Sequence, residues 1–573
     1  MTRAAIGLAQ GAGLYLLFRV GEMKTWPATE PPIFASLLIV TVFIPVLVIA
    51  GLGNMRVRTL AIWALVAAAV CAGLAVHDIL RDPVVAARGS WGQRLIPEGP
   101  LPAVGGVLLI VHSLIVAGEA DRRPIATYPR LFDASWKHGV QLALAVAFVA
   151  AFWALLWLSA ELFRLIGIRY LNDLIQRSWF AAPATTVSFA YALHITDVRA
   201  DLVRGVRALA LTLLAWLLPM LTAFALAFLL ALAFTGLEPL WSTRRATATL
   251  LIAAGALIML INAAYQDGQA ADAVARVVRY ARTLAAAVLV PLVALAGYGL
   301  ALRAQQHGWT PERIIAGACV VVAACYAVGY ALAALRPSLD LKGLEPTNIV
   351  AAAVIVAVVL ALFSPVADPA RIAVADQLRR LEAGQVTPED FDYKFLRFRS
   401  GRYGQAALEQ LAGRTGGPNA AAISERAKQA MALQNPWQPG RPATAATRAL
   451  NITVIHPPGQ ALPEGFAQQD WGAATTQRWR LPSCLTADGK CEAALIDLDG
   501  DGGAEVLLLA AATSQSGAFK AGPDGKWTWL GVVANAFCRE VREAWKAGQW
   551  EPVQPRVKEI NANGIRLRIT PDP

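Results

Sequence analysis

The chain has 573 residues, of which 56% are hydrophobic and only 16% charged, with a mean hydropathy of +0.47. Such a chain is too apolar to be water-soluble along its whole length and reads as a polytopic membrane protein. Its net charge of +11 raises the question of nucleic acid, but the region after Pro365 holds 24 basic and 22 acidic side chains, so the excess lies in the apolar part and no nucleic-acid partner is expected.

In chain order, apolar runs long enough to cross a hydrocarbon core, about 20 residues each, fall at roughly 4–20, 32–52, 59–79, 102–119, 138–160, 178–195, 207–234, 245–265, 282–302, 314–335 and 347–364. The expected fold is therefore a polytopic α-helical membrane protein of about eleven transmembrane helices. The sixth run, "SWFAAPATTVSFAYALHI", carries Pro183 and a Thr pair, so a re-entrant segment and a count of ten stay open. The first run lacks a small-residue cleavage site and reads as a span rather than a cleaved signal.

Basic residues crowd alternate short loops: Arg56 and Arg58; Arg122, Arg123, Arg130 and Lys137; Arg199, Arg204 and Arg207; Arg276, Arg279 and Arg282. With eleven spans these share one face with Arg3, which the positive-inside rule makes cytoplasmic. The expected setting is a bacterial inner membrane, with a cytoplasmic N-terminus and the tail emerging on the periplasmic side.

The apolar character stops near Pro365. The expected organisation is a multi-spanning domain over 1–365, a helical juxtamembrane segment over 366–433 ("DPARIAVADQLRRLEAGQV", "PNAAAISERAKQAMAL"), a Pro-rich linker over 434–445, and a soluble α+β or β-rich domain over 446–573. In that last domain "NITVI", "RWRL", "EAALIDL", "EVLLLAA", "KWTWLGVV" and "GIRLRIT" read as strands, and "AFCREVREAWKAGQW" as one amphipathic helix.

Cysteines bear on the compartment. Cys71, Cys319 and Cys325 lie in apolar runs and read as packing residues. Cys484 and Cys491 bracket the turn-forming "LTADGK", which suits a disulfide in an oxidising compartment; two free thiols near a hairpin is the alternative. Cys538 would be left unpaired.

The motif that carries most chemistry is "ALIDLDGDGGAEVLLL", Ala494 to Leu509. Asp497, Asp499 and Asp501 alternate, followed by Gly502, Gly503 and Glu505, a set of hard oxygen donors that suits Ca²⁺. An EF-hand needs a bidentate Glu at position 12, where Leu508 stands, and an exiting helix where the strand-like "VLLLAA" follows. The loop instead resembles the D-x-D-G-D-G-x-x-[DE] loops of integrin-type FG-GAP repeats. That resemblance implies side-chain ligands from Asp497, Asp499, Asp501 and Glu505 and a backbone carbonyl from Gly503. A plain Asx-rich turn shaping a hairpin is the alternative. A single copy does not make a propeller.

Four other segments, "LEPLWSTRRATATLLIAAGALIMLINAAYQDG", "LALRAQQHGWTPERI", "ADPARIAVADQLRRLEAGQV" and "FDYKFLRFRSGRYGQAALEQL", resemble an uncharacterised bacterial membrane family, the domain-of-unknown-function 4153 family, over roughly Leu237 to Leu411. The resemblance implies a many-spanning protein and brings no catalytic residues with it.

Ionisable or amide groups in or beside the spans, His112, Glu161, His194, Asn262, Tyr265, Gln266 and Asp267, are functional candidates by position. Helix-end anchoring and interhelical hydrogen bonds account for the same residues. No Walker loop, HExxH, G-x-S-x-G or C-x-x-C occurs, so no enzyme class is expected. The leading expectation is a non-enzymatic envelope protein in the lipid bilayer, presenting a calcium-stabilised module to an envelope partner or signal. A transporter or channel, and a membrane enzyme acting on lipid-linked substrates, remain as alternatives.

Overall fold

Wherever the sequence runs apolar for about 20 residues, the backbone can satisfy its polar groups away from water only by closing them on themselves as a helix. In the computed structural model, which describes residues 1–81, 100–238, 240, 245–268, 276–335, 341–433, 443–471, 481–486, 489–510, 516–533, 539–549, 560–562 and 565–567, these runs form α1 (Thr2–Met23), α2 (Pro31–Gly51), α3 (Val57–Arg81), α4 (Pro100–Asp121), α5 (Tyr128–Leu165), α7 (Ser178–Val198), α8 (Ala200–Thr235), α9 (Ala246–Tyr265), α10 (Arg276–His307), α11 (Pro311–Ala334) and α12 (Leu344–Leu362), with the short α6 (Tyr170–Ile175) between α5 and α7. Ten of them are long and apolar enough to cross a membrane. α7 falls short of that measure, and it is the run marked as weak by Pro183 and its threonines.

α7 is nevertheless packed along the length of α1. Gly7 and Gly11, four residues apart, let the two backbones touch: a Cβ on Gly7 would lie 2.9 Å from the Thr186 carbonyl oxygen, and one on Gly11 would lie 2.4 Å from Pro183 Cα. Small residues at this spacing are how helices approach closely in lipid. Arg3 closes the pair on Asp197 at 2.6 Å, so the helices run antiparallel. The hydroxyls of Thr185, Thr186 and Thr196 donate to carbonyls of their own helix at Ala181, Ala182 and Ala192, so the groups that lower its hydropathy are satisfied within the turn.

The helix ends sort onto two faces. One holds Arg3, Asp197, Lys137 (2.8 Å from Asp197) and the Arg56–Glu119 pair. The other carries α13 (Pro369–Glu382), α14 (Tyr393–Arg399) and α15 (Gly401–Ala412). Asp368 caps α13 through the Ala370 and Arg371 amides and lies 2.9 Å from His77 Nε2 at the end of α3. Asp376 accepts from the Trp309 amide, Arg380 donates to the Gln305 and Gln306 carbonyls, and Arg399 pairs with Glu312. These helices follow the membrane helices without a break in packing, and Met1–Ile423 forms one compact unit. Its interior is filled by residues such as Leu218, Leu257, Leu289 and Tyr330 in one cluster and Ile39, Ala67 and Cys71 in another.

The second unit, Ser424–Pro573, begins in α16 (Ala420–Ala432) and is built on a five-stranded sheet of order β1 (Ile452–His456), β2 (Cys491–Ile496), β3 (Glu505–Ala510), β4 (Ser516–Ala521), β5 (Trp527–Val532). β1 runs parallel to β2 and the other pairs are antiparallel. β3, "EVLLLA", is buried on both faces, as a central strand requires. Val506 and Leu508 point into a cluster with Phe466, Trp471, Phe519 and Trp527, whereas Leu507 and Leu509 point the other way towards Trp545 of the helix Arg539–Ala547. The period of two along the strand decides which face each residue serves. Arg448, in the helix Ala445–Asn451, is buried and donates to the carbonyls of Ala443, Ala467, Gln469 and Leu485.

One strand lies outside the expected set. "SGAFKA" forms β4 although Ser, Gly and Ala carry little strand signal, because it pairs along the edge of β3. Of "RWRL", residues 478–480 lie outside the described residues, and Leu481 is a buried residue in a bend. A separate hairpin joins Ile560–Ala562 to Ile565–Leu567. Residues 434–442 of the expected linker, and Cys538, also lie outside the described residues.

Candidate functional site

The acidic motif is the connection of the β2–β3 hairpin. Ile496 pairs with Glu505, and the residues between them turn the chain with Gly500 and Gly502 at φ 77° and 85°, where a side chain would be strained. Asp497 organises the turn from its first position: Oδ1 accepts the Gly500 N–H at 2.7 Å and Oδ2 the Gly502 N–H at 3.0 Å. Asp501 Oδ1 accepts the Gly503 N–H at 2.8 Å. As a result Asp497, Asp499 and Asp501, all exposed, bring carboxylate oxygens within 4.8 Å of one another. Oxygens bound to one Ca²⁺ at about 2.3–2.6 Å lie at most about 5 Å apart, so the donor set and its spacing fit that ion.

Glu505 is placed differently. It is 1% exposed and sits beneath the loop, its Oε2 accepting the Leu498 N–H at 2.7 Å. It does not belong to the triad of clustered aspartates. What links it to them is Lys520, which no sequence pattern singles out. One step beyond the Val506–Phe519 pair, the β3–β4 register sets Lys520 opposite Glu505. Its ammonium hydrogen-bonds Asp499 Oδ2 and Asp501 Oδ2 and lies 3.7 Å from Glu505 Oε1. The Lys520 contact, with the Gly503 amide, holds the Asp501 carboxyl below the usual carboxylate range. The two aspartates, Asp499 first, push the Lys520 ammonium pKa upward. A cation thus already occupies the concave side of the loop.

Cys484, in the helix Ser483–Thr486, is bonded to Cys491, the first residue of β2, with their Cα atoms 5.8 Å apart. Both are buried. The bond pins the start of the strand that leads into the acidic loop.

The membrane-unit candidates do not all lie together. Glu161 is exposed and paired with Arg164, and His194 is exposed. Asn262 Nδ2 donates to Tyr330 Oη at 2.7 Å, and Tyr330 donates to Asn348 at 2.8 Å. Tyr265 donates to Glu345 at 2.9 Å. Gln266 turns the chain at φ 56° after α9, and Asp267 lines a surface pocket with Glu345 and Arg130. Tyr128 Oη lies 3.5 Å from Asn262 Oδ1 and 3.4 Å from Asn348 Nδ2, and its ring is 5.8 Å from that of Tyr265, so these contacts draw one polar cluster together near the ends of α5, α9, α11 and α12. His112 and Tyr265 are the buried members of the set, and His112 lies beside a second histidine, His138, that sequence spacing does not connect to it.

No curated protein and no solved structure matches the chain. A family model, the domain of unknown function DUF4153, matches residues 33–411, from α2 into α15, leaving the sheet and its acidic loop beyond its end. On that match, which covers well over half of the chain, the protein belongs to the DUF4153 family.

Proposed function

We propose that this protein is a membrane-anchored envelope protein whose C-terminal unit works on the extracytoplasmic side as a calcium-responsive module for a partner or signal. The observation that carries the reading is Lys520: three carboxylates hold a single ammonium where a divalent cation would sit. Calcium, bringing two charges to Asp497, Asp499, Asp501, Glu505 and the Gly503 carbonyl, displaces the ammonium, which swings out on its flexible stem. Because Lys520 belongs to β4 and the aspartates to the β2–β3 turn, exchange of ammonium for calcium alters the edge of the sheet and gives the loop two states to offer a partner.

The orientation rests on three supports: eleven helices of alternating direction among the described residues, ten of them long and apolar enough to cross a membrane, a face rich in Arg and Lys around Arg3, and a disulfide suited to an oxidising compartment. The chain leaves α12 on the face opposite Arg3, and extracellular calcium is abundant enough to fill a weak site, of Kd about 10⁻⁴ to 10⁻³ M.

Calorimetric titration of the full-length protein in detergent with CaCl₂, with amide exchange followed across Ala494–Ala510, tests this. Calcium should bind and slow exchange in the loop. Asp499→Ala should lose the binding, and Lys520→Met should tighten it by removing the competing charge. If neither wild type nor Lys520→Met binds calcium, the loop is a lysine-closed turn and the proposal fails.

A further inference from the structure

Within the membrane unit, α2, α4, α5 and α7 enclose a cavity of about 450 Å³. Its walls are apolar, with Phe43, Leu47 and Leu109 among them. Pro102, at the start of its span, and Gly106 and Leu142, within apolar helices, line it and are exposed on the outside of the bundle, so the cavity opens sideways towards lipid. At the other end lie three buried polar side chains, His112, His138 and Gln141, each 5% exposed.

The two histidines are held from behind. Trp63 Nε1 lies 3.2 Å from His112 Nδ1, and Ser113 Oγ lies 2.9 Å from His138 Nδ1. The rings are 4.9 Å apart, centroid to centroid. Both Nε2 atoms are buried and have no hydrogen-bond partner among the described residues. An indole N–H only donates, so His112 Nδ1 must accept, and the neutral ring carries its proton on Nε2. A protonated ring would set two N–H groups against each other. His112 therefore presents a fixed N–H donor, unsatisfied in an apolar cavity, a costly state that is relieved by any acceptor that arrives. A metal ion is disfavoured at that nitrogen, because it would have to displace the proton that the Trp63 contact fixes there.

We propose that this cavity is a binding site for an apolar, membrane-dissolved molecule that carries a carbonyl group, entering past Gly106 and accepting the His112 Nε2 proton. His138 and Gln141 supply the further polar contacts, and the apolar walls take the ring or chain. A quinone and the ester of a bilayer lipid share this carbonyl chemistry.

The test uses the full-length protein in detergent micelles, labelled with ¹⁵N-histidine, of which the chain has six. The probes are a decyl-substituted benzoquinone, a short-chain diacyl phosphatidylcholine, decylbenzene as a carbonyl-free control, and Zn²⁺. A carbonyl probe should shift the His112 Nε2 resonance, identified by its loss in His112→Phe, and raise the melting temperature. Whichever of quinone or phosphatidylcholine does so identifies the source. His112→Phe should weaken binding about tenfold or more, as expected for one lost hydrogen bond in an apolar site. Gly106→Leu should block binding while leaving both histidines intact; a Cβ at Gly106 meets nothing within 4 Å, so this variant spares the packing around Trp63 that His112→Phe alters. The proposal is overturned if neither carbonyl probe acts, if decylbenzene binds equally well, if Gly106→Leu binds like wild type, or if Zn²⁺ is the only species that perturbs the pair.

Discussion

Reducing the Cys484–Cys491 bond should loosen the C-terminal sheet by an amount set by the loop it closes. The cysteines are seven residues apart in sequence, and the chain-entropy relation for a closed loop of that size gives about 2.5 kcal/mol of stabilisation. The estimate counts no loss of packing, since both cysteines belong to the buried cluster with Leu485, Ala493 and Ala510. The readout is amide exchange at Ala493–Leu495 and Val506–Leu509, whose amides lie in the buried strands β2 and β3 and exchange through global opening of the unit. A loss of about 2.5 kcal/mol corresponds to roughly 60- to 70-fold faster exchange in the reduced full-length protein than in the oxidised one. Exchange that agrees within about threefold between the two forms, in conditions where opening is rate-equilibrated, would show that the bond constrains nothing in the unfolded chain and would refute the reasoning.

Arg448→Met should destabilise the same unit by about 3 kcal/mol or more, because it keeps the aliphatic stem but strips the donors from four carbonyls; denaturant-dependent exchange of β1 measures it. The Asp501 carboxyl, depressed by Lys520, should titrate below an ordinary aspartate and return towards it in Lys520→Met, as followed by carboxyl NMR. Since the folded value is the lower one, the stability from this pair is present at neutral pH and is lost as pH falls through that depressed value. A reporter that fluoresces only in the cytoplasm should be dark when fused after Pro573 and bright when inserted near Arg123; a bright C-terminal fusion would leave α7 out of the membrane if the Arg123 reporter is also bright, and would reverse the orientation if that reporter is dark. Gly11→Leu, driven into Pro183, should separate α1 from α7 and lower the melting temperature of the membrane unit, whereas Gly73→Leu, with open space around it, should not.

The division into apolar and polar halves, the position of nearly every membrane helix and the strand–acid loop–strand pattern are legible in the sequence, because each rests on local chemistry: a run of about 20 apolar residues, a period of two, aspartates alternating before glycine. A Cys484–Cys491 bond is one of two readings the turn-forming segment between them allows, and the fold brings their Cα atoms to 5.8 Å. What the tertiary structure alone decides are the partners brought from a distance. α7 is ambiguous by composition and becomes a bundle helix only because Gly7 and Gly11 admit it against α1. Lys520 enters the acidic loop through the register of β4, a strand of small residues with no signal of its own. His112 and His138 lie 26 residues apart on successive helices, and the tautomer that turns one of them into a donor is set by Trp63 from a third. Propensity and periodicity act over a few residues, whereas a site is an agreement among residues that only packing introduces to one another.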